Sequence, residues 1–128
     1  MKLKSISGLL FYVKDLAKTA EFYEALGFEF KARTPDYMTA YINWFWMEFV
    51  AQDKAEKSVF KKEAGAEATH KGAGQFVQIA VDDVDEFYRG VLAKGLKPSN
   101  RPRDWPRGRR EFVLRDPDGY KLVFFQKI

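Results

Sequence analysis

Cysteine is absent from the 128 residues, and histidine occurs once, at position 70. The first absence excludes disulfides, thiolate metal sites and cysteine nucleophiles, and it agrees with a reducing compartment, so a cytoplasmic location is expected. The second deprives zinc of its usual ligands, so any metal site would have to be built almost wholly from oxygen donors. Long apolar runs are missing as well. No uncharged stretch reaches the roughly 18 residues of a membrane span, and Met1-Lys2-Leu3-Lys4-Ser5 opens into a short alternating run, so neither a membrane partner nor a secretory leader is expected. Charge of one sign is scarce: the net +4 comes from 22 basic residues interspersed with 18 acidic ones, a weak bias toward anions. What is abundant is ring area. Aromatic residues make up 16% of a chain that is 46% hydrophobic, enough to fill the core of one ordinary domain and to wall a pocket for a planar ligand.

The pattern along the chain is that of a duplicated module. Ile6 to Val13 is apolar and β-rich, and Asp15 follows as a helix cap; Leu16, Ala20, Phe22, Tyr23 and Leu26 recur at helical spacing until Gly27 stops the helix. Three strand-like runs come next, Phe28 to Arg33, Tyr37 to Ile42 and Phe45 to Gln52, with turns near Pro35-Asp36 and Asn43-Trp44. Residues 53–74 differ in character, being rich in Lys, Glu and Ala with a helix-compatible piece over 54–64, and read as a connector. The second half then repeats the first. Adding 68 to Val13, Asp15, Leu16 and Gly27 gives Val81, Asp83, Val84 and Gly95, so strand end, cap, first apolar helix residue and stop all coincide. Strands are expected over Phe76 to Val81, Glu111 to Arg115 and Lys121 to Gln126, the last two joined by the turn Asp116-Pro117-Asp118-Gly119, with a shorter strand near Leu96 to Asn100. The expected organisation is a single domain, 1–128, made of module 1 (about 1–52), the connector 53–74 and module 2 (about 75–128).

The ordered set Tyr12-Val13-Lys14-Asp15-Leu16, Phe22-Tyr23-Glu24-Ala25-Leu26-Gly27-Phe28, Ala80-Val81-Asp82-Asp83-Val84 and Arg110-Glu111-Phe112 running into Arg115-Asp116-Pro117-Asp118-Gly119 resembles the vicinal oxygen chelate superfamily, which joins glyoxalases, bleomycin resistance proteins and extradiol dioxygenases. The Arg-Glu-Phe to Asp-Pro-Asp-Gly ending is most similar to bleomycin-resistance-type members. The resemblance spans nearly the whole chain and implies an α+β fold: two paired βαβββ modules forming a curled mixed sheet around a cavity, helices on the outer face, often as a homodimer. It also implies where a metal would be held. In metal-using members the ligands stand on the first and last strand of each module, and the matching positions here are Gly8, Glu48, Phe76 and Val123. One carboxylate cannot assemble a divalent site. No metal and no cofactor is therefore expected, and activities that require one are disfavoured.

Successive strand residues face opposite sides, so those four positions mark the cavity face. They place Gly8, Leu10 and Tyr12, then Tyr37, Thr39 and Tyr41, then Trp44, Trp46 and Glu48 inward in module 1. In module 2 they do the same for Phe76, Gln78 and Ala80, for Glu111 and Val113, and for Lys121, Val123 and Phe125. The opposite face is uniformly apolar, with Leu9, Phe11, Val13, Met38, Ala40, Ile42, Phe45, Met47, Phe49, Val77, Ile79, Val81, Phe112, Leu114, Leu122 and Phe124 awaiting helical cover. A face mixing Trp, Tyr, Glu, Gln and Thr suits a small-molecule pocket; the alternatives are that it fills the space of a lost metal or forms a dimer interface.

The ligand-binding candidates are Tyr12, Tyr37, Tyr41, Trp46, Glu48, Phe76, Gln78, Trp105, Glu111 and Phe125. Trp105 joins them from the loop Arg101 to Arg110, whose five arginines either grip phosphate or are solvated and paired locally at the cavity mouth, the second reading being favoured. Glu111 pairs with Glu48 across the cavity or, in the favoured reading, with Arg109 or Arg110. His70, in the polar connector, is read as a solvated loop residue rather than a base. The function expected is metal-free sequestration of a planar or aromatic small molecule, as in antibiotic resistance, by a homodimer, with a neutral or anionic ligand fitting the charge better than a cationic one. The alternative is a lyase, isomerase or dioxygenase-like enzyme with a degenerate site in which Glu48 acts as base. Nucleic-acid binding through the arginine loop is the least favoured.

Overall fold

The computed structural model describes residues 1–57 and 70–128, and the chain divides into two compact units, Met1–Thr69 and His70–Ile128. In the first, β1 (Gly8–Val13) leads to α1 (Leu16–Ala25), and β2 (Phe30–Arg33), β3 (Tyr37–Ile42) and β4 (Phe45–Ala51) follow. The sheet order is β1-β4-β3-β2, with β1 parallel to β4 and the rest antiparallel. A 3-10 turn, Gln52–Lys57, comes next. The helix-compatible piece expected over 54–64 lies largely outside the described residues. The second unit contains β5 (Val77–Ala80), α2 (Val84–Ala93), β6 (Arg103–Trp105), β7 (Arg109–Arg115) and β8 (Lys121–Lys127), in the order β5-β8-β7-β6. The two sheets have the same topology, and α1 and α2 are offset by the same 68 residues as the sequence motifs. Among the described residues each unit is thus one mixed four-stranded open sheet with one helix, the α+β class that was expected.

Local chemistry accounts for the matching boundaries. Asp15 and Asp83 are both extended, and their carboxylates accept from the backbone N–H of Lys18 (3.1 Å) and Glu86 (3.0 Å), satisfying a donor that the first helical turn leaves over. Gly27 and Gly95, at φ 98° and 78°, take the left-handed conformation that ends a helix without a Cβ clash. In the turn between β7 and β8, Asp116 accepts from the N–H groups of Asp118 and Tyr120, both at 2.9 Å, and Gly119 sits at φ 90°. That turn is fastened to the start of its unit by Lys71, whose Nζ lies 2.9 Å from Asp118 Oδ1 with both side chains buried.

Alternation then decides the cores. In the first unit Phe11, Val13, Met38, Ala40, Met47 and Phe49 are buried; Phe49 packs on Phe11 (5.1 Å between ring centroids) and on Tyr23 of α1 (4.7 Å). In the second, Phe112 and Phe124 stack at 5.3 Å and receive Phe87 and Tyr88 of α2. Two residues expected on the covered face, Leu9 and Ile42, are exposed. Both lie at strand ends, and a ten-residue helix, about 15 Å long, does not reach the ends of a six-residue strand of about 20 Å.

The short strand expected near Leu96 to Asn100 is not formed; the edge strand is β6, farther along. Ser99 does donate to the Val113 carbonyl at 2.8 Å, but Val113 N–H is taken by the Asn100 side chain at 2.9 Å, so a side chain replaces the backbone acceptor and the ladder breaks. Truncating either central ring, Phe49→Ala or Phe124→Ala, is expected to cost about 3–5 kcal/mol, seen as a lower urea midpoint with an unchanged slope.

Candidate functional site

On the face of the second sheet away from α2, β7 and the turn that precedes it build a concave site. Trp105 closes β6, Gly108 turns the chain at φ 73°, and Arg109 opens β7 opposite Lys127 of β8. The cavity, of about 450 Å³, is lined by Gln78, Trp105, Pro106, Arg107, Arg109 and Glu111. That volume is in the range that holds one small organic molecule.

The polar groups around it are wired to one another. Arg109 donates from Nη1 to Gln78 Oε1 at 2.6 Å and from Nη2 to Glu111 Oε2 at 2.8 Å, while its guanidinium lies 3.9 Å from the Phe125 ring centre. Glu111 is thus paired with Arg109, the partner favoured from the sequence. Arg103 lies 4.1 Å from the Trp105 ring centre, and Lys121 Nζ lies 4.6 Å from that of Phe76.

Arg110 points the other way and anchors the loop. It forms a two-pronged pair with Asp85 at the start of α2, Nε to Oδ2 at 2.9 Å and Nη2 to Oδ1 at 3.0 Å, and its Nη1 reaches Asp104 Oδ1 at 3.0 Å. The hydrogen bond from Arg110 holds the Asp85 carboxyl below its ordinary value, and the two aspartates raise Arg110. One arginine therefore ties helix, edge strand and central strand together, and the segment carrying Trp105 to Gly108 is fixed at its base.

Gln78, Trp105 and Glu111 come together at this cavity, with Phe125 beneath Arg109 and Phe76 exposed just before β5. The other candidates lie in the first unit, on one face of β1, β3 and β4. Tyr41 and Trp46 approach at 6.4 Å, and Lys31 Nζ stands 5.6 Å from the Tyr41 ring. Tyr37 is exposed, Glu48 is half-buried between Leu10 and Thr39 in the strand register, and Tyr12 is buried against Val50. His70 is exposed. Pro106, Arg107 and Arg109 were not singled out as lining residues. Their signal was present in Trp105-Pro106-Arg107-Gly108, a turn that puts adjacent side chains on one rim.

The sequence model of the Glyoxalase/Bleomycin resistance protein/Dioxygenase superfamily matches residues 5–124. The chain belongs to that superfamily. It is 32% identical over 127 residues to the metallothiol transferase FosB of Lysinibacillus sphaericus (strain C3-41), covering 97% of this chain and 83% of that one. Among solved structures, a glyoxalase/bleomycin resistance protein/dioxygenase from Nocardioides superposes with a TM-score of 0.82 at 19% identity, covering 100% of this chain and 86% of that one. The lactoylglutathione lyase from Agrobacterium tumefaciens gives 0.74 at 19%, covering 98% and 95%. These two structural likenesses establish the fold.

At the four positions where the resemblance implies metal ligands, the side chains present do not fit an ion. A Cβ at Gly8 would meet the Trp46 indole at 2.5 Å from Cδ1, so the room for a side chain there is filled by the ring. Phe76 carries a ring under Lys121, and Val123 is buried between Gln78 and Val113 in the strand register. Glu48 is the single donor among the four. Among the described residues no three His, Asp or Glu side chains group closely enough to hold an ion.

A carboxylate with a depressed folded pKa contributes stability that is present above its unfolded value and lost as pH falls through the folded one. For Asp85 that loss falls below the ordinary 3.8. The Trp105 indole N–H resonance is expected to hold its position from pH 7 to about 4 and to move only below that; Asp85→Asn should displace it already at pH 7.

Proposed function

We propose that this chain is a small-molecule-binding member of the superfamily that works without the family metal and sequesters a planar or aromatic ligand. The cavity beside Trp105 carries the reading. Its walls are an indole, a proline ring and a guanidinium held over the Phe125 ring, which supply area and stacking, while Gln78 and Glu111 fix the guanidinium in place. Such a site binds by shape and stacking and needs no ion. The substitutions at positions 8, 76 and 123 support the metal-free part of the proposal.

The protein acts as a homodimer in this reading. Support comes from the first unit, whose sheet face leaves Leu10, Tyr41 and Trp46 exposed at 48%, 43% and 37%, apolar side chains that a second copy would cover. Together with the lack of cysteine this fits a cytoplasmic binder of toxic aromatic compounds, antibiotics among them.

The 32% identity to a transferase favours a second reading, an enzyme in which Glu48, half-buried and without an ion-pair partner among the described residues, acts as base. Titration of the full chain with planar antibiotics and polycyclic aromatics, followed by tryptophan fluorescence, tests the first reading. At least one should bind, and Trp105→Ala should weaken it about tenfold, ~1.4 kcal/mol; silence across the panel overturns it. Manganese, zinc and magnesium should leave the melting temperature unchanged, since an ion that bound the folded state would raise it. Turnover abolished by Glu48→Gln would establish the enzyme instead.

A further inference from the structure

Two arginines line the cavity and are used differently. Arg109 is engaged on three sides, by Gln78, by Glu111 and by the Phe125 ring, so Glu111, the one acid on the cavity wall among the described residues, is already neutralised by its neighbour. Arg107 lines the same cavity and makes no ion pair or side-chain hydrogen bond among the described residues. Its backbone, unlike its side chain, is held: Gly108 N–H donates to the Trp105 carbonyl at 3.2 Å, Ile128 N–H donates to the Gly108 carbonyl at 2.9 Å, and Arg110 fixes Asp104 beside the turn. The wall therefore carries two arginines and one glutamate, a surplus of one positive charge, located on a fork of donors next to an indole.

We infer that the ligand is a planar aromatic acid, with its ring against Trp105 and Pro106 and its carboxylate received by Arg107. This rests on the binding role proposed above and names the ligand class that role would take. A guanidinium meets a carboxylate through two parallel N–H donors, a match no neutral amide reproduces. An organic cation would face Arg107 with no free acid to offset it. Because Arg107 is exposed, the attraction is screened by salt, unlike the stacking on Trp105.

The probes are 2-naphthoate and its uncharged isostere 2-naphthamide, titrated into the full chain by calorimetry, with the Trp105 indole N–H as a second readout. The acid should bind at least tenfold more tightly at 50 mM salt, about 1.4 kcal/mol, and the margin should shrink at 500 mM. Arg107→Gln should remove the margin while leaving the affinity for the amide unchanged. Equal affinities for the two probes, or an Arg107→Gln variant that weakens both alike, would overturn the assignment of an acid and leave the aromatic pocket standing. Failure of both probes to bind at millimolar concentration, with Trp105 unperturbed, would overturn the pocket along with it.

Discussion

The helix described in each unit packs on one face of a four-stranded sheet and keeps that face dry, and this constraint organises both units. The helix supplies a stripe of apolar side chains, the strands answer with every second residue, and the aromatic clusters around Phe49 and around Phe112 and Phe124 result. The residues on the opposite face stay outside those clusters, with Tyr12, Thr39 and Val123 among them buried. They form a second face, of mixed aromatic and polar character, on which anything that binds has to be found. The candidate site thus follows from the fold as its remainder, furnished by Gln78, Glu111 and Phe125 from the alternate positions of β5, β7 and β8.

What turns that remainder into a site is a division of labour among neighbouring arginines. Arg110 faces α2 and fastens the loop through Asp85 and Asp104; Arg109 faces the open side and is pinned over Phe125; Arg107 stands free on the turn. Alternation separates the first two, since adjacent strand residues point to opposite faces. The turn at Gly108 releases the third from that rule. Of the five arginines in the run, Arg109 and Arg110 are paired with acids, and Arg107 is the one on the cavity wall that makes no ion pair among the described residues.

The helix caps at Asp15 and Asp83, the stops at Gly27 and Gly95, the 68-residue repeat and the turn at Asp116 to Gly119 were legible because each is set by contacts a few residues apart. Strand alternation was legible for Phe11, Met38, Phe49, Phe112 and Phe124 for the same reason. It failed for Leu9 and Ile42, where burial depended on how far a helix extends over the sheet. The edge strand was expected near Leu96 to Asn100 and lies at Arg103 to Trp105, because only the pairing with β7 separates a ladder from the side-chain imitation that Asn100 makes.

The sequence by itself determined the superfamily, the two βαβββ modules, and the want of metal ligands at positions 8, 76 and 123, since these rest on residue identity and short-range periodicity. Only the tertiary structure decided that the indole of Trp46 fills the room beside Gly8, that Glu111 and Gln78 hold Arg109, and that Arg107 is left over. The reason is physical. A charge is satisfied or spare according to which partners chain folding brings within about 3 Å of it, and residues 31 apart, such as Gln78 and Arg109, carry no mark of that meeting in the order of their letters.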